Sequence, residues 1–257
     1  MTIKSMLAAS AALLVTTAAA PAAEVAALWG DNTISIVDTS QKKVVKTWSI
    51  TGVNGKVLGI DVRPVDGMLY AVGADGGIYT VDLKTGRATM KSKLDQMLAA
   101  GTWATVDFNP VADRLRLMSH DGTNLRVNVD DGKATVDGAL KFKDGDANAG
   151  KTPNVIAGAY SNSYKGTKAT ALYDIDASGF LLTQAPPNDG ILNTIGSLGV
   201  KLNGATAFNI VAQGEDNAAW LVTGGSLYSV DLKSGKATAA GKLDGVKGKL
   251  TDIAWVD

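Results

Sequence analysis

Apolar and polar residues alternate over short runs, and Gly, Asp or Asn breaks each run after a few positions. Ile34 and Ile36, and again Leu125, Val127 and Val129, keep the two-residue period of a half-buried strand. Residues 69–89 read LYAVGADGGIYTVDLKTGRAT, and residues 220–238 read WLVTGGSLYSVDLKSGKAT. Both predict an apolar strand, a Gly turn, a strand ending Val-Asp-Leu, a Lys-Thr/Ser-Gly turn and a third strand. The same order recurs in 27–48 and 115–136, and more loosely in 171–183. Met90–Ala100 is the one stretch of the mature chain that predicts a helical turn.

A further short strand stands between the copies: GIDVRP (59–64), TVDFNP (105–110), GAYSN (158–162), TAFNI (206–210) and IAWVD (253–257). Its aligned column is Val62, Phe108, Tyr160, Phe208 and Trp255, in steps of 46, 52, 48 and 47 residues. A near-constant period of this size marks a repeat architecture, and four-stranded units repeated radially make a β-propeller. The prediction is an all-β, five-bladed β-propeller of four-stranded antiparallel blades. The chain enters on the second strand of a unit and leaves on a first strand. The C-terminal strand should therefore join the N-terminal blade, closing the ring and hiding two strand edges.

Composition narrows the chemistry. Lys plus Arg equals Asp plus Glu at 25 each, so no overall basic field draws nucleic acid or anionic lipid. There is no Cys and one His, His120, which excludes disulfides, thiolate sites and multi-histidine metal centres. Lys4, an apolar run from Met6 to Val15, and Ala20-Pro21-Ala22 have the layout of a secretory signal peptide. The run is shorter than the roughly 20 residues a membrane span needs. The expectation is a signal peptide over 1–22 and a single monomeric domain over 23–257, periplasmic or secreted, with no transmembrane segment.

Candidate chemistry falls in three places. Arg63, Asn109, Ser161 with its neighbour Asn162, and Asn209 follow the aromatic column, with Asp61 and Asp107 two positions before Arg63 and Asn109. Such a polar ring at a channel mouth suits a small ligand; Asp and Asn also suit turns and caps. Arg116, Asn124 and Arg126 form a second cluster. Two guanidinium forks on one side of a hairpin would grip a carboxylate or phosphate, or would pair with Asp107 or Asp137 instead. His120 sits in the turn SHDG. The third place is DGDANAGKTPN (144–154), where Asp144, Asp146 and Asn148 match the first three ligands of a calcium loop. Ala149 then replaces the Gly, and Val155 the bidentate Glu, so an EF-hand is excluded. A looser calcium site and an elaborate turn both remain open. APPNDG (185–190) is a second insertion. No G-x-S-x-G elbow, phosphate loop or H-E-x-x-H is present.

The runs FNPVADRLRLMSHDGTNLRVNVDDG (108–132), DGDANAGKTPNVIAGAYSN (144–162) and QAPPNDGILNTIGSLG (184–199) resemble the bacterial domain-of-unknown-function family 4394. The resemblance covers almost the whole mature chain. It implies an exported β-propeller-like domain and transfers no catalytic residue. The expected role is a non-catalytic module or envelope scaffold that binds a small molecule or an envelope protein. The alternative is a calcium-dependent hydrolase with acid–base groups at Asp61 and Asp107.

Overall fold

The computed structural model describes residues 24–99, 104–213 and 216–256. Residues 1–22, expected to be a signal peptide, lie outside them. The chain opens with β1 (Glu24–Trp29), β2 (Thr33–Asp38) and β3 (Lys43–Ser49). A second sheet holds β4 (Val57–Val62), β5 (Leu69–Gly73), β6 (Gly77–Val81) and β7 (Ala88–Lys93). The third holds β8 (Ala104–Asn109), β9 (Arg114–Ser119), β10 (Asn124–Val127) and β11 (Ala134–Val136). The fourth comprises β12 (Lys141–Phe142), β13 (Val155–Tyr160), β14 (Leu172–Asp176), β15 (Phe180–Gln184) and β16 (Ile191–Ser197). The fifth is β17 (Thr206–Gln213), β18 (Asp216–Thr223), β19 (Ser226–Val230) and β20 (Ala237–Lys242).

The last strand, β21 (Leu250–Val256), completes the first sheet in the order β21-β1-β2-β3. Its antiparallel register runs from Glu24 opposite Val256 to Trp29 opposite Leu250. The protein is thus a five-bladed propeller closed by its C-terminal strand. One blade departs from the four-stranded pattern. β12 adds a parallel strand beside β16, and this insertion lies within the longest step of the repeat.

Turn chemistry explains why the repeated segments fold alike. Asp38 ends β2, and Asp82 and Asp231 directly follow β6 and β19. Each carboxylate accepts the backbone N–H two residues on, from Ser40, Lys84 and Lys233. The Val-Asp-Leu-Lys-Thr/Ser-Gly run is therefore a self-capped turn. Packing follows the alternation. Tyr70 meets Phe108 edge-on at 5.3 Å between the second and third blades. Ile175, Leu221 and Phe208 join the fourth blade to the fifth, and Ala27, Val222 and Ile253 join the fifth to the first.

Among residues 90–99, the described part of Met90–Ala100, the expected helical turn is not formed. Met90 pairs with Tyr79 inside β7, and no helix follows in residues 94–99. β7 is an outer edge strand with mostly exposed side chains, so it lacks the alternation that reveals a strand. A short 3₁₀ turn forms instead at Pro187–Asp189, within APPNDG.

Candidate functional site

The inner strands β4, β8, β13, β17 and β21 surround the axis, each belonging to a different sheet. Inner strands of neighbouring blades make no ladder, so their inward N–H groups need other acceptors. Aspartates supply them. The Ile60 N–H donates to Asp252 Oδ2 at 2.8 Å, joining blade one to blade two. The Phe108 N–H donates to Asp61 Oδ2 at 2.7 Å, and the Tyr160 N–H to Asp107 Oδ1 at 2.8 Å, continuing the stitch through blades three and four. Close approach makes this possible. A Cβ on Gly59 would lie 2.8 Å from Asp252 Oδ2 and 2.5 Å from Val106 Cγ2.

Burial dominates the electrostatics of these acids. It pushes the Asp61 carboxyl up to about 7, against hydrogen bonds from Phe108, Val62 and the Asn209 side chain. It raises Asp107 and Asp252 well above the usual carboxylate range, with the neighbouring Asp61 charge adding to both. Asp174, on β14, is raised by burial to about 8, and neither of its oxygens has a hydrogen-bond partner.

At the C-terminal ends of the inner strands the axis opens into a cavity of about 340 Å³. Asp61 and Asn209 lie on its wall, with Pro64, Tyr164 and Trp255. The other end of the axis holds a void of only about 30 Å³, lined by Ala104, Ile156, Thr206 and Thr251 among others.

Of the residues expected to bind a ligand, Asn209 lines the open cavity. The rest lie elsewhere. Arg63 spans two blades: its Nε and Nη2 donate to Asp113 at 2.8 and 2.6 Å, and Nη2 reaches Asp130 at 3.1 Å. Its guanidinium is held above its usual value, first by Asp113. Asn109 Oδ1 caps its own turn, accepting from the Val111 and Ala112 N–H groups. Asn162 exchanges hydrogen bonds with Asn217, tying blade four to blade five.

Arg116 and Arg126 are directly opposed on β9 and β10, and both reach Asp137, at 2.6 and 2.7 Å. Arg116 is 1% exposed. It also donates to Asn124 Oδ1, to Asn188 Oδ1 in the proline insertion, and to the Tyr160 hydroxyl. The carboxylate gripped by the two forks is thus the chain's own Asp137. His120 is exposed in its turn.

The 144–154 loop folds around Thr194. Asp146 accepts from the Thr194 N–H and Oγ1, both at 2.7 Å, and from the Asn148 N–H at 2.8 Å. Burial opposes the Asp146 charge, but these hydrogen bonds outweigh it and hold the carboxyl below its usual value. Asn148 donates to Thr194 Oγ1, and its own amide oxygen accepts from Lys151 Nζ at 2.9 Å. Asp144 is exposed and takes no part in that cluster. Among the described residues no group of three or more His, Cys, Asp or Glu is placed to hold a metal.

Tyr164, Asp174 and Asp252 were not singled out from the sequence. The bare inner-strand glycines Gly59 and Gly158 were the available signal, since each makes room for a carboxylate.

Residues 33–254 match the family described as Domain of unknown function (DUF4394). The chain belongs to that family. No curated protein matches it. Among solved structures, this DUF4394 member is similar to a protein of unknown function from Bacteroides thetaiotaomicron VPI-5482, at 17% identity and a TM-score of 0.54. That likeness covers 89% of this chain and 63% of the other, and it shows a shared fold. A protein of unknown function from Bacteroides caccae matches at 14% identity over 91% of this chain and 98% of its own, with a TM-score of 0.48. No helix among the described residues is long and apolar enough to cross a membrane.

Proposed function

We propose that this DUF4394 propeller is an exported, non-catalytic binding module that holds a small polar molecule at the open mouth of its channel. The observation that carries this reading is the cavity of about 340 Å³ with Asp61 and Asn209 on its wall. Concave sites of this size with a few convergent polar groups are where proteins hold small ligands. Asp61 and Asn209 offer hydrogen-bonding groups, while Tyr164 and Trp255 offer aromatic faces. Among the described residues Asp61 is the one carboxyl on the lining, and Asp107, its partner in an acid–base hydrolysis, is not part of it.

Export is supported by Lys4, the apolar run from Met6 to Val15 and Ala20-Pro21-Ala22, the layout of a secretory signal peptide. Removing residues 1–22 leaves every described strand intact, and the protein purified from its native host should begin at Ala23 or Glu24. Recovery of a chain starting at Met1 would overturn that part.

The binding reading is tested by thermal melts against monosaccharides, polyols, amino acids and dicarboxylates at about 10 mM, where ligand present in excess of its dissociation constant stabilises the folded chain. The Ala212→Trp variant, which places an indole at the cavity wall, is the control. A compound that raises the wild-type melting temperature but not the variant's supports the site. A panel in which nothing shifts the wild type refutes it.

A further inference from the structure

A second concavity of about 340 Å³ adjoins the channel mouth over the end of blade two. The two share Gly67 and Leu83 in their linings, so they adjoin across these two residues as the inner and outer parts of one candidate groove. The shared wall is built by local turn chemistry. Gly67 takes φ +71° and donates its N–H to the Arg63 carbonyl, which closes the turn between β4 and β5. Leu83 follows Asp82 in the turn between β6 and β7.

The groove has two different ends. The inner end carries Asp61 and Asn209. The outer end carries Lys84 and Arg87, both exposed, and neither forms a salt bridge among the described residues. Asp82 also lines the outer end, but its carboxylate is occupied by its own turn, accepting from the Lys84 N–H at 2.7 Å and the Thr85 hydroxyl at 2.9 Å. Between the ends the floor is apolar or bare: Pro64, Gly67, Met68 and Leu83. Met68 is 44% exposed, so an apolar surface lies open along the path.

An acidic and amide end, an apolar middle and a doubly cationic end complement one ligand class. We propose that the groove binds a short peptide in extended form, its amino terminus at Asp61 and Asn209 and its terminal carboxylate at Lys84 and Arg87. Small apolar side chains then lie over Leu83 and Met68. An Arg fork donates two parallel hydrogen bonds to a carboxylate, and Lys84 adds a point charge beside it. A peptide holds its amine and carboxylate apart at about 3.3–3.6 Å per extended residue. A free amino acid or a neutral sugar could fill only one end. The proposal rests on the channel mouth being the binding site.

The test is calorimetric titration of the mature chain with tetra-alanine, its N-acetyl form and its C-terminal amide. Tetra-alanine should bind, and N-acetylation and amidation should each weaken binding at least about tenfold, the loss of one charge-assisted contact. In the double variant Lys84→Gln, Arg87→Gln, the free acid and the amide should bind alike, while N-acetylation still weakens binding. Both substituted side chains are exposed, so folding is preserved, and an unchanged melting temperature checks this. Equal binding of the capped and uncapped peptides overturns the proposal. So does an absence of binding by tetra-alanine. The two readings fail separately. If a neutral sugar from the melting panel acts at the mouth and is blocked by Ala212→Trp while tetra-alanine stays silent, the peptide proposal falls and the mouth stands.

Discussion

Asp174 gives the sharpest test of the buried acids. It lies on β14 opposite Gly158, is fully buried, and has no partner for either oxygen. Burial raises its carboxyl from 3.8 to about 8, with the Arg116 charge pulling the other way. In the unfolded chain an Asp titrates near 3.9. Between about pH 4 and 8 the folded state therefore keeps a proton that the unfolded state has released, and stability must fall as pH rises. The contribution is fully present below the unfolded pKa and is lost as pH climbs through the folded one. Each unit of difference is worth about 1.4 kcal/mol. Asp174→Asn keeps the shape and removes the titration. Urea unfolding of both proteins at pH 5 and 8.5 should show the variant gaining on the wild type by up to roughly 4 kcal/mol across that interval. Asp61, raised to about 7, adds a similar slope that both proteins share. A stability difference that is the same at both pH values would refute the assignment of Asp174 as a buried neutral acid.

The other predictions concern the clamps. Asp146→Ala removes the acceptor for the Thr194 and Asn148 N–H groups and should lower stability by about 1–3 kcal/mol without any metal present. Wild-type melts in chelator and in millimolar calcium should coincide, because the Asp146 oxygens serve Thr194 and the Asn148 oxygen holds Lys151; a rise of more than about 2 °C in calcium would show that the ion displaces them. Arg116→Met should cost about 3–5 kcal/mol in chemical denaturation, since it leaves Asp137 buried with only the half-exposed Arg126; a cost under about 1 kcal/mol would show that Arg126 suffices. Ile253→Ala should cost about 2–5 kcal/mol, because that side chain packs the closing strand against Ala27 and Val222; a surface-like effect would contradict this ring closure.

The fold was legible because its information is local and repeated. The Val-Asp-Leu-Lys-Thr/Ser-Gly run caps its own turn, so hairpins at 69–89 and 220–238 announce themselves without knowledge of any distant residue. Closure followed from phase, since a chain that starts on a second strand and ends on a first strand has one economical way to finish a ring. What failed locally was β7, whose outer-edge position leaves ATMKSK without a buried face to pattern it.

The site was less legible because its partners come from other blades. Arg63 and Arg116 look alike in sequence to guanidiniums waiting for a ligand. Asp137 stands close enough in sequence to be offered as a partner of Arg116, beside Asp107, but nothing near Arg63 marks Asp113 or Asp130 as the groups it faces, and those distances are set by how turns from different repeats converge. Asp61 and Asn209 could be picked out because they repeat at the end of the inner strand, where a propeller opens. Yet the same rule placed Asn109 and Asn162 there too, and each is drawn off by a neighbouring turn or blade.

The difference between the two ends of the axis decides how a ligand would reach Asp61. At the N-terminal ends of the inner strands, Ala104, Ile156, Thr206 and Thr251 stand around a void of about 30 Å³, barely above the size of one water. Between the two ends the Asp107 and Asp252 carboxyls accept inner-strand N–H groups, as Asp61 Oδ2 does at the cavity wall, which holds neighbouring blades together. Any ligand of Asp61 must come from the open face, past the turns that carry Pro64, Gly67 and Tyr164. Asp107 and Asp252, deeper in the axis, then serve stability and its pH dependence, and in the proposed binding reading selection of a ligand falls to Asp61, Asn209 and the turns at that rim.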